Sequence, residues 1–149
     1  MKALIQRVST AKVIVKDKTV GSINQGLCVF LGIHPNDNIS VQKWMIEKLI
    51  NIRLFEDSSK KMNLSVQDVK GGILVVSQFT LYGDCSKGRR PSFAQAAPPL
   101  QAKKYYEDFL VALQNQYKYV QSGVFGAMMD VKLINDGPVT LLLQQEATS

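Results

Sequence analysis

The sequence predicts an α+β domain. Three observations carry that expectation. Strand-like runs of aliphatic residues outnumber helical patterns, the two stretches with helical periodicity are separated by strands, and no repeat or linker divides the 149 residues. A chain of this length is one domain, 1–149, long enough to bury a core.

In chain order, ALIQRV and AKVIVK read as two strands around Ser9-Thr10, followed by a turn at VGSINQG. GLCVFLGI is a nearly continuous apolar run, the pattern of a strand covered on both faces. HPNDN is a loop rich in helix-starting residues. Across 41–52, Val41, Met45, Leu49 and Ile52 share one helical stripe, with Trp44 packing in the core or at its edge beside it. RLFEDSSKKMN leads into a loop, and GGILVVSQFTLY then reads as one long β-like run. GDCSKGRRPSFAQAAPP is irregular and basic at its centre. Residues 100–117 form a second amphipathic pattern, with Tyr106, Phe109, Leu110 and Leu113 facing inward. AMMDVKLI and VTLLL return to strands, and QQEATS is expected to fray. Between them stands Asn-Asp-Gly-Pro. Asp-Gly alone suits a hairpin turn, but Pro138 cannot donate a ladder hydrogen bond. The segment is either a plain turn or a working piece of backbone.

Mean hydropathy near zero and 46% hydrophobic residues describe a soluble globular chain. Runs such as ILVV and GLCVFLGI are too short to span a bilayer, and MKALIQRVST lacks the apolar core and cleavage pattern of a signal peptide. The cytoplasm is therefore the expected compartment, with no membrane partner. Cys28, inside an apolar run, reads as a buried thiol, and Cys85 has no second cysteine near it to make a CxxC motif. With His34 as the only histidine, an ordinary zinc site does not fit. No metal or cofactor is expected. A formal charge of +6 and a pI of about 9.4 attract polyanions without naming one.

GDCSKGRR has the glycine spacing of GxxxxGK[ST], but Arg89 and Arg90 stand where the lysine and hydroxyl belong and Pro91 opposes the helix that would complete a phosphate cradle. The same loop reads as a compact cationic tip of Lys87, Arg89 and Arg90, with Lys60 and Lys61 on another loop. It is either a phosphate-backbone contact or a solvated surface loop. Ser77 and Thr80 are candidate nucleophiles, yet His34 is the only histidine base and GxSxG does not occur. A hydrolase built on this chain does not use a standard triad. SQFTL can equally be ordinary strand, and Phe125 and Met129 ordinary core.

Together and in order, VSQFTLYGD, KGRRPSF, AAPP, FGAMM and NDGPVT resemble the D-aminoacyl-tRNA deacylase family, often called D-tyrosyl-tRNA deacylase. MKALIQRV and RLFEDSSKKMNLSVQD extend the resemblance over almost the whole chain. Its two signatures, Ser77-Gln78 with Leu81 and Asn135 with Gly137-Pro138, are specific in combination. The resemblance implies a layered β/β/α domain of mostly antiparallel strands with two main helices. It implies a homodimer in which SQFTL of one subunit meets Gly137-Pro138 of the other, with a cis peptide between that glycine and proline. Their carbonyls would accept hydrogen bonds from a substrate ammonium, and Arg7 would hold their loop. The wall so formed rejects L-aminoacyl esters sterically and admits D-aminoacyl and glycyl esters on tRNA. Ser77, Gln78, Phe79 and Thr80 are the expected catalytic stretch, with the Phe79 and Thr80 amides as the expected oxyanion donors. By the same resemblance Phe125, Gly126 and Met129 would surround the terminal adenosine, Ala96 would line the same pocket, and Lys87, Arg89 and Arg90 are candidate tRNA contacts. With no triad, hydrolysis is expected to lean on the vicinal 2′-hydroxyl of that adenosine and on the backbone oxyanion site. Two other readings compete: a small-ester or thioester hydrolase using Ser77 or Thr80, and a non-catalytic RNA-binding dimer.

Overall fold

The computed structural model describes residues 1–148. Strand β1 (Lys2–Val15) turns at Lys16-Asp17 into β2 (Lys18–Ile23), and β3 (Gly26–Gly32) continues in the same direction. Helix α1 (Ile39–Asn51) and a short hairpin of β4 (Phe55–Glu56) and β5 (Met62–Leu64) follow. Then come β6 (Gly72–Ser77), a 3₁₀ turn (Phe79–Tyr82), α2 (Pro99–Gln116), β7 (Val120–Ser122) and β8 (Asp130–Gln144). This is the expected α+β class with two helices.

The order β2-β1-β3-β6-β7, with β8 on the other edge of β1, makes one six-stranded sheet. Contacts of β1 with β2, β3 and β8 are antiparallel, whereas β3–β6 and β6–β7 are parallel. On one face, α1 and α2 cover a core containing Ile5, Leu27, Val29, Met45, Leu49, Ile73, Tyr106 and Phe109. On the other, the sheet rolls over a second cluster drawn from β1, β3 and β6: Val8, Val13, Cys28, Leu74 and Val76, with Met129 and Leu133 packed against it. The curl of the sheet thus makes the additional β layer. Each such side chain contributes about 1.5–3 kcal/mol by leaving water.

Local chemistry explains the ends. Asn38 caps α1 by accepting the Val41 amide at 3.0 Å. Pro99 stands in the first turn of α2, where its missing N–H costs nothing. Val41, Met45 and Leu49 are buried as expected, but Ile52 lies past the helix in extended backbone.

Four expectations are corrected. Ser9-Thr10 does not break a strand: β1 runs through, and the irregularity there is a register shift against β8. VGSI is strand, because the reversal is made earlier by Lys16 (φ +48°) and Asp17 (φ +64°), the left-handed pair a two-residue hairpin requires. The GGILVVSQFTLY run stops being strand at Ser77. β3 ends at Gly32 and β7 at Ser122, so no ladder partner remains, and the backbone closes on itself with Leu81 N–H donating to the Gln78 carbonyl at 3.3 Å. The C-terminal segment does not fray through its described part. Gln145 N–H donates to the Met1 carbonyl at 3.1 Å, and Ala147 packs against the main core. Ser149 lies outside the described residues.

Candidate active site

The strands β3, β6 and β7 run parallel, so their carboxyl ends share one rim of the sheet, the edge where open parallel sheets bind ligands. Ser77 closes β6 there, paired with Leu31, and the Gln78 amide donates to the Leu31 carbonyl at 2.8 Å. The 3₁₀ turn follows at once. Its first internal bond begins at the Leu81 N–H, so the amides of Phe79 and Thr80 precede it and have no helical acceptor. Ser77 and Gln78 are half-buried, and Phe79 and Thr80 are exposed.

Two side-chain observations bear on the chemistry. The Thr80 hydroxyl accepts a short hydrogen bond from Gln78 Nε2. His34 does not act on Ser77 or Thr80 among the described hydrogen bonds. Its Nδ1 accepts the Asn36 amide at 3.1 Å, and its ring lies 5.6 Å from that of Tyr82. Burial, with Asp37 nearby, pushes the Tyr82 phenol well above its ordinary range, so it stays protonated.

Beyond the turn, a hairpin loop closes through reciprocal bonds of Asp84 and Ser92 at 2.7 and 2.9 Å and carries Lys87, Arg89 and Arg90. Phe93 sits at its base, 5.1 Å from Phe79 in an edge-to-face pair. Ala96 follows in a turn whose amide donates to the Phe93 carbonyl at 3.1 Å, and the Ala97 amide fastens the segment to the Ile33 carbonyl beyond β3 at 2.9 Å. The loop after β7 starts at the same rim, with the Gly123 N–H on the Val75 carbonyl at 3.0 Å. Phe125 packs 5.8 Å from Tyr106, whose hydroxyl reaches the Val75 carbonyl at 3.1 Å. Gly126 is exposed with φ +76°. Met129 packs against the second cluster rather than the first. Phe125 and Met129 are therefore partly core, as one reading of the residues allowed.

The second half of the predicted site lies elsewhere. Asn-Asp-Gly-Pro is not a hairpin turn. The chain on both sides of it pairs antiparallel to β1, with Asn135 opposite Val8 and Thr140 opposite Gln6, so 136–139 bulge out opposite Arg7. The Gly137–Pro138 peptide is cis, and both residues are exposed. Gly137 has φ +148°, and a Cβ there would stand 2.7 Å from Val139 Cγ2, so only glycine suits. Asn135 closes the bulge: its Oδ1 accepts the Val139 amide at 2.7 Å, and its Nδ2 donates to the Val139 carbonyl at 3.2 Å. Arg7, 5% exposed, holds it from beneath, with Nε on the Asp136 carbonyl at 2.9 Å and Nη1 on the Leu54 carbonyl at 2.7 Å. A small cleft of about 200 Å³ opens between Arg7, Gln25, Phe55, Glu56 and Asp136.

Within one chain these halves do not meet. Arg7 pairs with Leu27 of β3 while Ser77 pairs with Leu31, and the bulge lies on β8, beyond β1 and β3 from β6. At about 3.3 Å per residue and about 4.8 Å per strand, they are on the order of 20 Å apart. Sequence reasoning missed the clamping role of Asn135, the Leu54 carbonyl and the aromatic pairing of Phe93. Asn135 was visible in the NxGP signature, whereas the other two depend on loop packing that leaves no local pattern.

The chain is similar to known proteins over nearly its full length. The chain is 56% identical over 146 residues to the D-aminoacyl-tRNA deacylase of Thermosipho africanus, covering 98% of each, and 54% identical over 143 residues to that of Thermotoga petrophila, covering 96% of each. A solved structure titled c-Myc DNA unwinding element binding protein superposes with a TM-score of 0.93 at 43% identity, covering 99% of this chain and 100% of that one. A probable eukaryotic D-amino acid tRNA deacylase, 17% identical with a TM-score of 0.85 over 95% of this chain and 97% of that one, shares the fold. The family model described as D-Tyr-tRNA(Tyr) deacylase matches residues 4–144, and the chain belongs to that family.

Proposed function

We propose that this protein is a D-aminoacyl-tRNA deacylase, hydrolysing the ester between a D-amino acid and the terminal adenosine of tRNA, and that it does so without a side-chain nucleophile. The observation that carries the mechanism is the pair of amides at Phe79 and Thr80, two exposed residues at a strand end whose N–H groups have no helical acceptor. Donors fixed in that way stabilise a developing oxyanion with no reorganisation. The Thr80 hydroxyl, engaged by the side-chain Nε2 of Gln78 rather than by a base, is poorly placed to be a nucleophile. The neighbouring 2′-hydroxyl of the ribose then assists attack of water on the carbonyl carbon. The bond from that carbon to the ribose O3′ breaks, O3′ leaves with a proton from the water as the 3′-hydroxyl of tRNA, and the carbonyl oxygen stays in the carboxylate of the released amino acid.

Chirality is read by a second copy of the chain. Gly137 and Pro138 crest an exposed, clamped bulge too far from Ser77 to serve it in cis, and β8 shows Ile134, Leu141 and Leu142 to solvent at 61%, 39% and 54%. An apolar edge strand of this kind calls for cover. A homodimer would seat each crest over the other subunit's turn. Backbone carbonyls would then hold the substrate ammonium, an L side chain would strike main chain that cannot yield, and a D side chain would point outward. Glycine has no side chain to reject, so glycyl-tRNA is a second substrate.

The test uses purified protein with D-tyrosyl-, L-tyrosyl- and glycyl-tRNA. Thr80→Ala should keep kcat within a few-fold of the parent. Replacing the Phe79 amide by an ester, with phenyllactic acid at that position, should lower kcat by about a hundredfold, the size of one lost oxyanion donor. Near-complete loss of turnover in folded, tRNA-binding Thr80→Ala would overturn the mechanism in favour of a threonine nucleophile.

A further inference from the structure

Beside the catalytic turn stands an aromatic pair that neither the fold nor the ester chemistry requires. Phe79 and Phe93 are 54% and 38% exposed, and their rings meet at 74°. In that edge-to-face arrangement the ring giving its edge keeps its faces clear of the other. Phe93 is held firmly. A Cβ on Gly83 would lie 3.0 Å from Phe93 Cε1, so the glycine makes room for the ring, and the Phe93 carbonyl accepts the Ala96 amide. Exposing two large rings to water is unfavourable, and doing so at the mouth of a site points to a ligand with a flat apolar face.

The same loop supplies the charge such a ligand would carry. Lys87, Arg89 and Arg90 crown the hairpin closed by Asp84 and Ser92, with Gly88 at φ +69° among them. The ion pairs of the described residues involve Met1, Arg7, Lys103 and Lys104, so these three cations have no carboxylate partner. Asp84, the nearest acid in sequence, sits at the hairpin base, where the Ser86 hydroxyl and amide hold its carboxyl below the usual range. From Phe93 to Arg90 is about 10 Å of extended chain. Aromatic face and unpaired cations at this spacing are what single-stranded nucleic acid asks of a protein: a surface for a base and positive charge for its phosphate.

We propose that Phe93, buttressed by Phe79, is a stacking platform for the unpaired nucleotide preceding the terminal adenosine of tRNA, and that the Lys87–Arg90 tip holds the phosphates leading into it. The platform recognises the RNA strand rather than the amino acid. It fixes the ribose ester over the turn without reading sequence, because every base offers a π-face. The proposal rests on the ester lying at the Ser77–Thr80 turn.

The experiment compares D-tyrosyl-tRNA with D-tyrosyl-adenosine, which has the ester but no preceding nucleotide. Phe93→Leu should raise KM for D-tyrosyl-tRNA about tenfold, the effect of losing one base–aromatic stack, and leave kcat/KM for D-tyrosyl-adenosine within about twofold. Phe93→Tyr, which keeps the ring, should restore the parental KM. Replacing Lys87, Arg89 and Arg90 together by Ser should flatten the salt dependence of KM by a log–log slope of about 2, for the tRNA substrate alone. Equal losses on both substrates would overturn the proposal by assigning Phe93 to the turn itself. So would an unchanged KM for D-tyrosyl-tRNA, an unchanged salt slope, or a Phe93→Leu protein that changes oligomeric state in sedimentation, which would mean that a second copy covers the ring. The ester at Phe79 separates the two ideas. If it leaves both substrates unaffected, the placement of the ester fails; if it slows both while Phe93→Leu is silent, only the platform fails.

Discussion

Arg7 joins two backbone carbonyls that are far apart in sequence, that of Leu54 in the chain leading into β4 and that of Asp136 in the bulge. A guanidinium can do this because its planar fork donates in fixed, divergent directions. A lysine at the same depth has one ammonium and cannot satisfy both. Arg7→Lys should therefore destabilise the protein by about 1–3 kcal/mol, read from urea unfolding. It should also reduce the preference for D- over L-tyrosyl-tRNA in a deacylation assay; parental stability with parental selectivity would show that the clamp does not set the crest. Individual residues were legible in the sequence when a short motif carried them, as with Ser77-Gln78 and Gly137-Pro138. Arg7 was legible only through family resemblance, since nothing local tells a reader that an arginine amid ALIQRV points inward at 5% exposure.

At the scale of elements, periodicity identified both helices and most strands, and erred where tertiary pairing overrides local habit. Asp-Gly between two apolar runs is ordinarily a reversal. Here both runs find the same partner strand, and the extra residues are expelled as a bulge while the chain keeps its direction. The SQFTLY segment has strand-forming residues but no strand beside it, so it curls and leaves the Phe79 and Thr80 amides without a ladder or helical acceptor. The cap of α1 was legible, in kind, from the helix-starting residues of HPNDN. Asn38→Ala removes the acceptor of the Val41 amide and should cost about 1 kcal/mol, measured by denaturant unfolding, with deacylation of D-tyrosyl-tRNA unchanged because the Asn38 side chain bonds only within its own helix start. A loss of activity without loss of stability would mean that α1 acts on the site.

Across the whole molecule, the sheet divides two cores, and each buries a group that resists ionisation. Burial pushes the Cys28 thiol from 9.0 up to about 12 and the Tyr106 phenol from 10.0 up to about 12, the latter partly offset by Ser122. Both shifts are upward, so the folded state favours the protonated forms. Their contribution is fully present below about pH 9 and is lost as the unfolded chain ionises first between about 9 and 12. Urea midpoints should fall over that window, and Cys28→Ala should flatten the decline near its lower end; an unchanged slope would exclude the thiol as a cause. The bulge on β8 has a consequence for the molecule as a whole. Its two ends are stitched to one template strand, so the number of residues between Asn135 and Thr140 sets the phase of everything after it. Adding or removing a single residue would exchange inward Leu143 with outward Leu142 and turn the final stretch of the sheet inside out. A substitution in the loop acts at its own position, whereas a change of length reaches every residue downstream.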